Sequence, residues 1–168
     1  MRSAVTLSVL LTVCAGAFAA PAAAQRDAAI FVVPRPLVAI ARNDLRFGEV
    51  FPGIPTSINP GDPKHAGLFE IRGADFGAVR IELMLPTALT SMNSQEIPLS
   101  FGPGDGAAAS DQGGYQSIPF DPRQPLITTL GTDGKLFIQL GGTALPIRSQ
   151  MDGTYRATIT LSIFDLGS

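Results

Sequence analysis

The chain has 168 residues, of which 45% are hydrophobic and 15% charged, with 18 glycines, 14 prolines, one cysteine, one histidine and no tryptophan. Its formal charge is −2 and its Lys and Arg residues are scattered, which argues against a nucleic-acid face or a membrane role driven by surface potential. One cysteine rules out a disulfide within the chain, and one histidine leaves little material for acid–base or metal chemistry.

The first element is a leader. In "MRSAVTLSVLLTVCAGAFAAPAAAQ", Arg2 precedes an apolar run from Ala4 to Ala20, then Pro21 and the small residues Ala22 to Ala24. This pattern predicts a signal peptide over residues 1–24, cleaved before Gln25. The run is short for a membrane span, and Val13 before Cys14 is not the small residue that lipoprotein processing prefers. Cleavage leaves 144 residues, 168 less 24, at a formal charge of −3, enough for one domain. It also removes Cys14. Export without disulfides points to a bacterial periplasm or cell surface. No apolar stretch beyond the leader is long enough to span a bilayer.

Residues 25–36 read as an N-terminal extension. Within it, "AAIFVV" places Ala28, Ile30 and Val32 on one face, a candidate segment for completing a sheet by strand complementation. Residues 37–168 read as an antiparallel β-sandwich. No segment of a dozen residues has a helical period, and short alternating runs lie between turn residues. About six runs are well patterned, near 37–47, 68–73, 78–85, 97–101, 135–147 and 154–164, where a complete immunoglobulin sandwich has about seven. Phe69 and Ile71 are expected inward, with Glu70 and Arg72 outward. Gly73–Gly77 then reads as a hairpin-like connection to a run with Val79, Ile81, Leu83 and Leu85 inward. Ile97, Leu99 and Phe101 follow, then Leu136, Ile138 and Leu140 before a kink at Gly141-Gly142. "FGPGDGAAASDQGGYQSIPFDPRQP" is too poor in large side chains to supply core and reads as a surface excursion or a pair of frayed strands. "FPGIPTSINPGDPKHAG" is a second proline-rich loop. The last run is the clearest strand: Tyr155, Ala157, Ile159, Leu161 and Ile163 share one face, and its backbone is the candidate open edge.

The chemistry-bearing side chains read as structural. His65 sits in a polar turn with no partner nucleophile in sequence reach. Asp105, Asp111 and Asp121 match no calcium-loop spacing, and the glycine-rich loop lacks the Lys-Ser/Thr of a phosphate cradle. Tyr155 reads as a corner tyrosine whose hydroxyl ties down a turn. No residue is assigned a catalytic, cofactor-binding or metal role, and the chain is expected not to be an enzyme.

The segments "NDLRFGEVFPG", "GLFEIRGADFGAVRIELMLP", "KLFIQLGGTALPI" and "DGTYRATITLSI", in that order, resemble a secreted bacterial domain family of unknown function, numbered 4402. More distantly they are similar to spore coat protein U and to chaperone–usher pilin-type domains. The resemblance covers nearly all of the mature chain and is most specific at Leu45-x-Phe47-Gly48 and Gly153-x-Tyr155. Phe164-Asp165-Leu166 departs from the usual polar–aromatic finish, and the disulfide of many pilins is missing. The resemblance implies an immunoglobulin-like sandwich with a surface or structural role and no cofactor.

Three readings follow. In the first, the chain is a pilus- or coat-like subunit that self-associates, or meets a periplasmic chaperone, through its last strand. In the second, residues 28–33 close that edge within the same chain. The domain is then a closed monomer. Separately, in the third, the chain reads as a stand-alone monomeric binding module, an adhesin or carbohydrate binder using Phe101, Tyr115 and Phe120 of the long loop.

Overall fold

The computed structural model describes residues 35–111 and 116–167. The leader, the Ala28, Ile30 and Val32 segment and Tyr115 lie outside the described residues. Among the described residues the chain is all-β, with thirteen strands and no helix.

Every strand pairing is antiparallel. The strands form three sheets. Sheet I joins β1 (Val38–Asn43), β3 (Gly67–Arg72), β10 (Lys135–Leu140), β7 (Gly106–Ala109) and β8 (Ile118–Phe120), in that order. Sheet II joins β12 (Tyr155–Arg156), β5 (Ala88–Ser91), β6 (Glu96–Ser100), β11 (Gly142–Ala144) and β2 (Thr56–Ile58). Sheet III joins β13 (Thr160–Gly167), β4 (Ala78–Met84) and β9 (Leu126–Thr129).

The core shows why alternation was the right guide. On β3 and β10, Ile71 pairs with Leu136 and Phe69 with Ile138, so one face of sheet I is aliphatic and aromatic. On β4, Val79 and Ile81 turn the same kind of face from sheet III, and Met84 on the opposite face is 74% exposed. Ile71, Ile138, Leu136, Ala108, Val79, Ile81 and Leu130 form one buried cluster, with Leu83, Phe120, Leu126, Leu161 and Ile163 packed against it. Sheets I and III therefore share a single dry layer in a sandwich-like arrangement, and burying these side chains is the main stabilising term.

Strand number and connections depart from the sequence reading. The Gly73–Gly77 segment is not a hairpin, because β3 belongs to sheet I and β4 to sheet III. It carries the chain across the core, with Gly73 N–H donating to Gly134 O at 2.9 Å and Phe76 N–H to Gly131 O at 3.3 Å. At Gly141 the chain passes from sheet I into sheet II. A side chain on Gly141 would collide with the carbonyl oxygen of Ile58 and lie 2.9 Å from Pro60 N, so only glycine lets the two backbones approach this closely. The long loop holds a pair of strands, β7 and β8, rather than a surface excursion, and they are part of the core instead of frayed. Ala107, Ala108 and Ala109 are all buried in β7, which lies between β10 and β8. Their methyls add little volume, yet they allow tight lateral packing, and Phe120 fits over Gly106 at 2.7 Å from where a Cβ would stand.

Candidate functional site: a free strand edge

Among the described residues the three open sheets have six edges. Five of them are poor templates for another strand. β12 has two residues and β2 three. β8 has three, with Pro119 in the middle, and proline cannot donate to a ladder. β9 has four. β1 has six, but its register slips between Ala41 and Asn43, and such a bulge twists an edge away from pairing. β13 has eight residues and stays in regular register with β4 from Thr160 to Asp165. Only then does it bulge, between Asp165 and Gly167, where Gly167 N–H donates to Asp165 Oδ1 at 2.9 Å.

The core behind this edge is incompletely covered. Leu161 and Ile163 stand opposite Leu83 and Ile81 and point at the buried cluster, but both are only half-buried, whereas Ile81 is 1% exposed. β1, the edge of sheet I, lies next to β13. Its Ala39 and Ala41 stand opposite Ile71 and Phe69 and remain exposed. Along this side the sandwich is therefore closed by two methyl groups on one sheet and two half-buried aliphatics on the other. The outer face of the edge is held by Phe164, which lies opposite Arg80 with the guanidinium 5.9 Å from the ring centroid, while Arg80 also pairs with Glu82.

The five residues expected on one closing strand do not share a strand. Tyr155 lies on β12 opposite Ser91 of β5, in sheet II. Leu161 and Ile163 lie on β13, in sheet III. Ala157 and Ile159 lie in the link between, exposed and half-buried respectively. The alternation in the sequence runs on unbroken, but the backbone changes partner, from β5 to β4, within three residues. The Tyr155 hydroxyl donates to Met151 O at 2.7 Å and accepts from Gln150 Nε2 at 2.8 Å, fixing the turn just before β12.

The other singled-out side chains hold loops. His65 Nδ1 lies 2.9 Å from Asp62 Oδ2. Asp62 also accepts from Lys64 N–H, and that bond first, with the histidine contact second, holds its carboxyl below the usual range. Asp105 accepts from Gly102 N–H at 2.7 Å. Asp121 chelates Arg123, whose guanidinium holds the carboxyl below its ordinary value. Among the described residues no three His, Cys, Asp or Glu side chains gather as a metal site. Phe101 is buried, and Phe120 is half-buried against the core cluster.

One cluster escaped the sequence reading. Glu70 faces away from the shared core yet is only 4% exposed. Arg42 of β1 and Arg72 of β3 enclose it. The Arg72 hydrogen bond, opposed by burial and helped by Arg42, keeps its carboxyl below the ordinary range. Glu70 and Arg72 alternate like any polar face, and the β1–β3 register that brings Arg42 to them is set by pairing between strands, which alternation does not encode.

No known family profile matches the chain. No curated protein matches it either. Among the described residues no helix is long and apolar enough to cross a membrane.

Proposed function

We propose that the protein is a non-enzymatic, secreted cell-surface or structural domain, a pilus- or coat-like subunit that assembles by accepting a strand from another molecule along β13. The observation that carries this reading is the edge itself: six residues in regular register, no proline, no bulge before Asp165, and core-facing Leu161 and Ile163 left half-buried. A strand added there gains backbone hydrogen bonds from β13 and covers apolar surface that the domain's own sheets leave open. The leader pattern supports export, and Ala28, Ile30 and Val32 have the alternation that such a donor requires.

The test combines sedimentation with amide exchange on the purified mature chain. The expected result is a concentration-dependent assembly in which the amides of residues 160–165 that point away from β4 exchange fast in the monomer and slowly in the assembly. A monomer at all concentrations, with those amides as protected as residues 135–140, would sink the proposal and place the closing strand in the same chain.

A further inference from the structure

The outer face of sheet I carries two clefts side by side. The first, about 340 Å³, is lined by Arg42, Glu70, Arg72, Lys135 and Phe137 and is mainly polar. The second, about 360 Å³, is mainly apolar and includes Pro36, Val38 and Ile40. Arg72 and Lys135 line both.

We propose that the paired clefts bind an organic acid, its carboxylate seated on Arg42 and Arg72 and its apolar body lying over Pro36, Val38 and Ile40.

The geometry of the cations supports the acid end. Arg72 donates through Nε to Glu70 Oε1 at 2.5 Å, and Arg42 donates through Nε to Glu70 Oε2 at 2.6 Å. One buried carboxylate thus anchors two guanidinium groups by their inner edges. Among the described residues, Arg72 keeps both terminal nitrogens for a second acceptor, and Arg42 keeps Nη1. Both arginine side chains are roughly half exposed, so the outer edges are reachable. A guanidinium fixed in orientation is the arrangement that suits bidentate carboxylate recognition.

The charge count sets the ligand's charge. Around the two clefts stand Arg35, Arg42, Arg72 and Lys135, opposed by Glu70, by Asp75 on Arg35 and by Asp133 on Lys135. One positive charge is left over. A carboxylate carries one negative charge, and a phosphate monoester at neutral pH carries more than the cluster leaves uncompensated. The apolar half sets the rest of the ligand: Val38 is 41% exposed and Ile40 half-buried, directly beside the shared Arg72. Clefts of this combined size and mixed lining suit a small amphipathic molecule.

The test is a backbone-amide NMR titration of the whole mature chain with octanoate, kept below its micelle-forming concentration. Acetate tests the acid end alone, and octyltrimethylammonium tests the apolar end with the charge reversed. Octanoate is expected to shift amides of residues 38–42, 70–73 and 133–137 saturably, with acetate about tenfold weaker or worse and the ammonium without effect. Arg72→Gln leaves Arg42 on Glu70 and is expected to weaken octanoate about tenfold. Val38→Asn is expected to weaken octanoate while leaving acetate unchanged. No saturable shift, shifts confined to other sheets, or equal binding of the ammonium overturns the proposal, as does octanoate binding unaffected by both variants.

Discussion

Ile81 and Ile163 face each other across the β4–β13 ladder, and replacing each by alanine measures how open the edge is. The substitution deletes Cγ1, Cγ2 and Cδ1. At ~0.8 kcal/mol per buried carbon, full burial makes their transfer worth about 2.4 kcal/mol. Ile81 is 1% exposed inside the core cluster, so a residual cavity adds to that figure and Ile81→Ala should cost roughly 3–4 kcal/mol. Ile163 is half-buried at an edge, so it forfeits about half the transfer term, and a hole there opens to solvent rather than remaining as a void. Ile163→Ala should therefore cost about 1 kcal/mol in the monomer. Urea unfolding followed by circular dichroism, at concentrations where the chain is monomeric, gives both values from midpoints at constant slope. In the assembled state the Ile163 cost should rise toward that of Ile81, because a neighbouring strand then completes its burial. Equal costs in the monomer would refute the reasoning, since they would mean that the edge is already covered.

Further outcomes concern the ion cluster and two backbone sites. Because Glu70 titrates below its unfolded value, its ionised form stabilises the fold above a pH of about 4.3, and that contribution is lost as pH falls through the lower folded value. Melting temperature should therefore drop below pH 4–5, and Glu70→Gln should show a shallower drop, the rest coming from Asp62, Asp121 and Asp133, whose carboxyls are also held low. An unchanged slope in Glu70→Gln would contradict this. Gly141→Ala drives a methyl into the backbone at Ile58 and Pro60, and thermal melts should show a loss of about 2–3 kcal/mol. Tyr155→Phe removes the hydroxyl that joins Gln150 and Met151 and should cost about 1 kcal/mol by urea unfolding, with faster exchange confined to residues 150–156.

Much of the fold was legible where one face of a strand meets the core and the other meets water. β3 and β4 fall within a residue of their patterned runs, because Ile71 and Ile81 alternate with polar neighbours. β10 starts with its run at Lys135 but ends at Leu140, and the remainder of that run becomes β11 in a different sheet. β7 could be read only as one of a frayed pair: four consecutive small buried residues carry no period, and their burial is set by β10 and β8 on either side. β2 and β5 are too short to show one. The split of the last run was hidden for the opposite reason. Its alternation holds except at Ala157, which is exposed, and no proline or glycine marks the change of partner between Arg156 and Thr160. The candidate edge was half legible: Leu161 and Ile163 were placed on the right face, while the free backbone depends on strand order, which the pattern does not encode. Glu70 was read as an outward surface acid because its enclosure comes from Arg42, 28 residues away.

The crossing between β12 and β13 has a mechanical meaning. A molecule attached along β13 and pulled parallel to it loads the long β13–β4 ladder in shear, where several hydrogen bonds must fail together rather than one at a time. Any force that passes beyond Thr160 travels through Ala157, Thr158 and Ile159 into β12, where the Tyr155 hydroxyl is fastened to Met151. The link is too short to act as slack. Sheets II and III are thereby tethered in series, and the corner tyrosine becomes the anchor bolt of the strand that would bear the load.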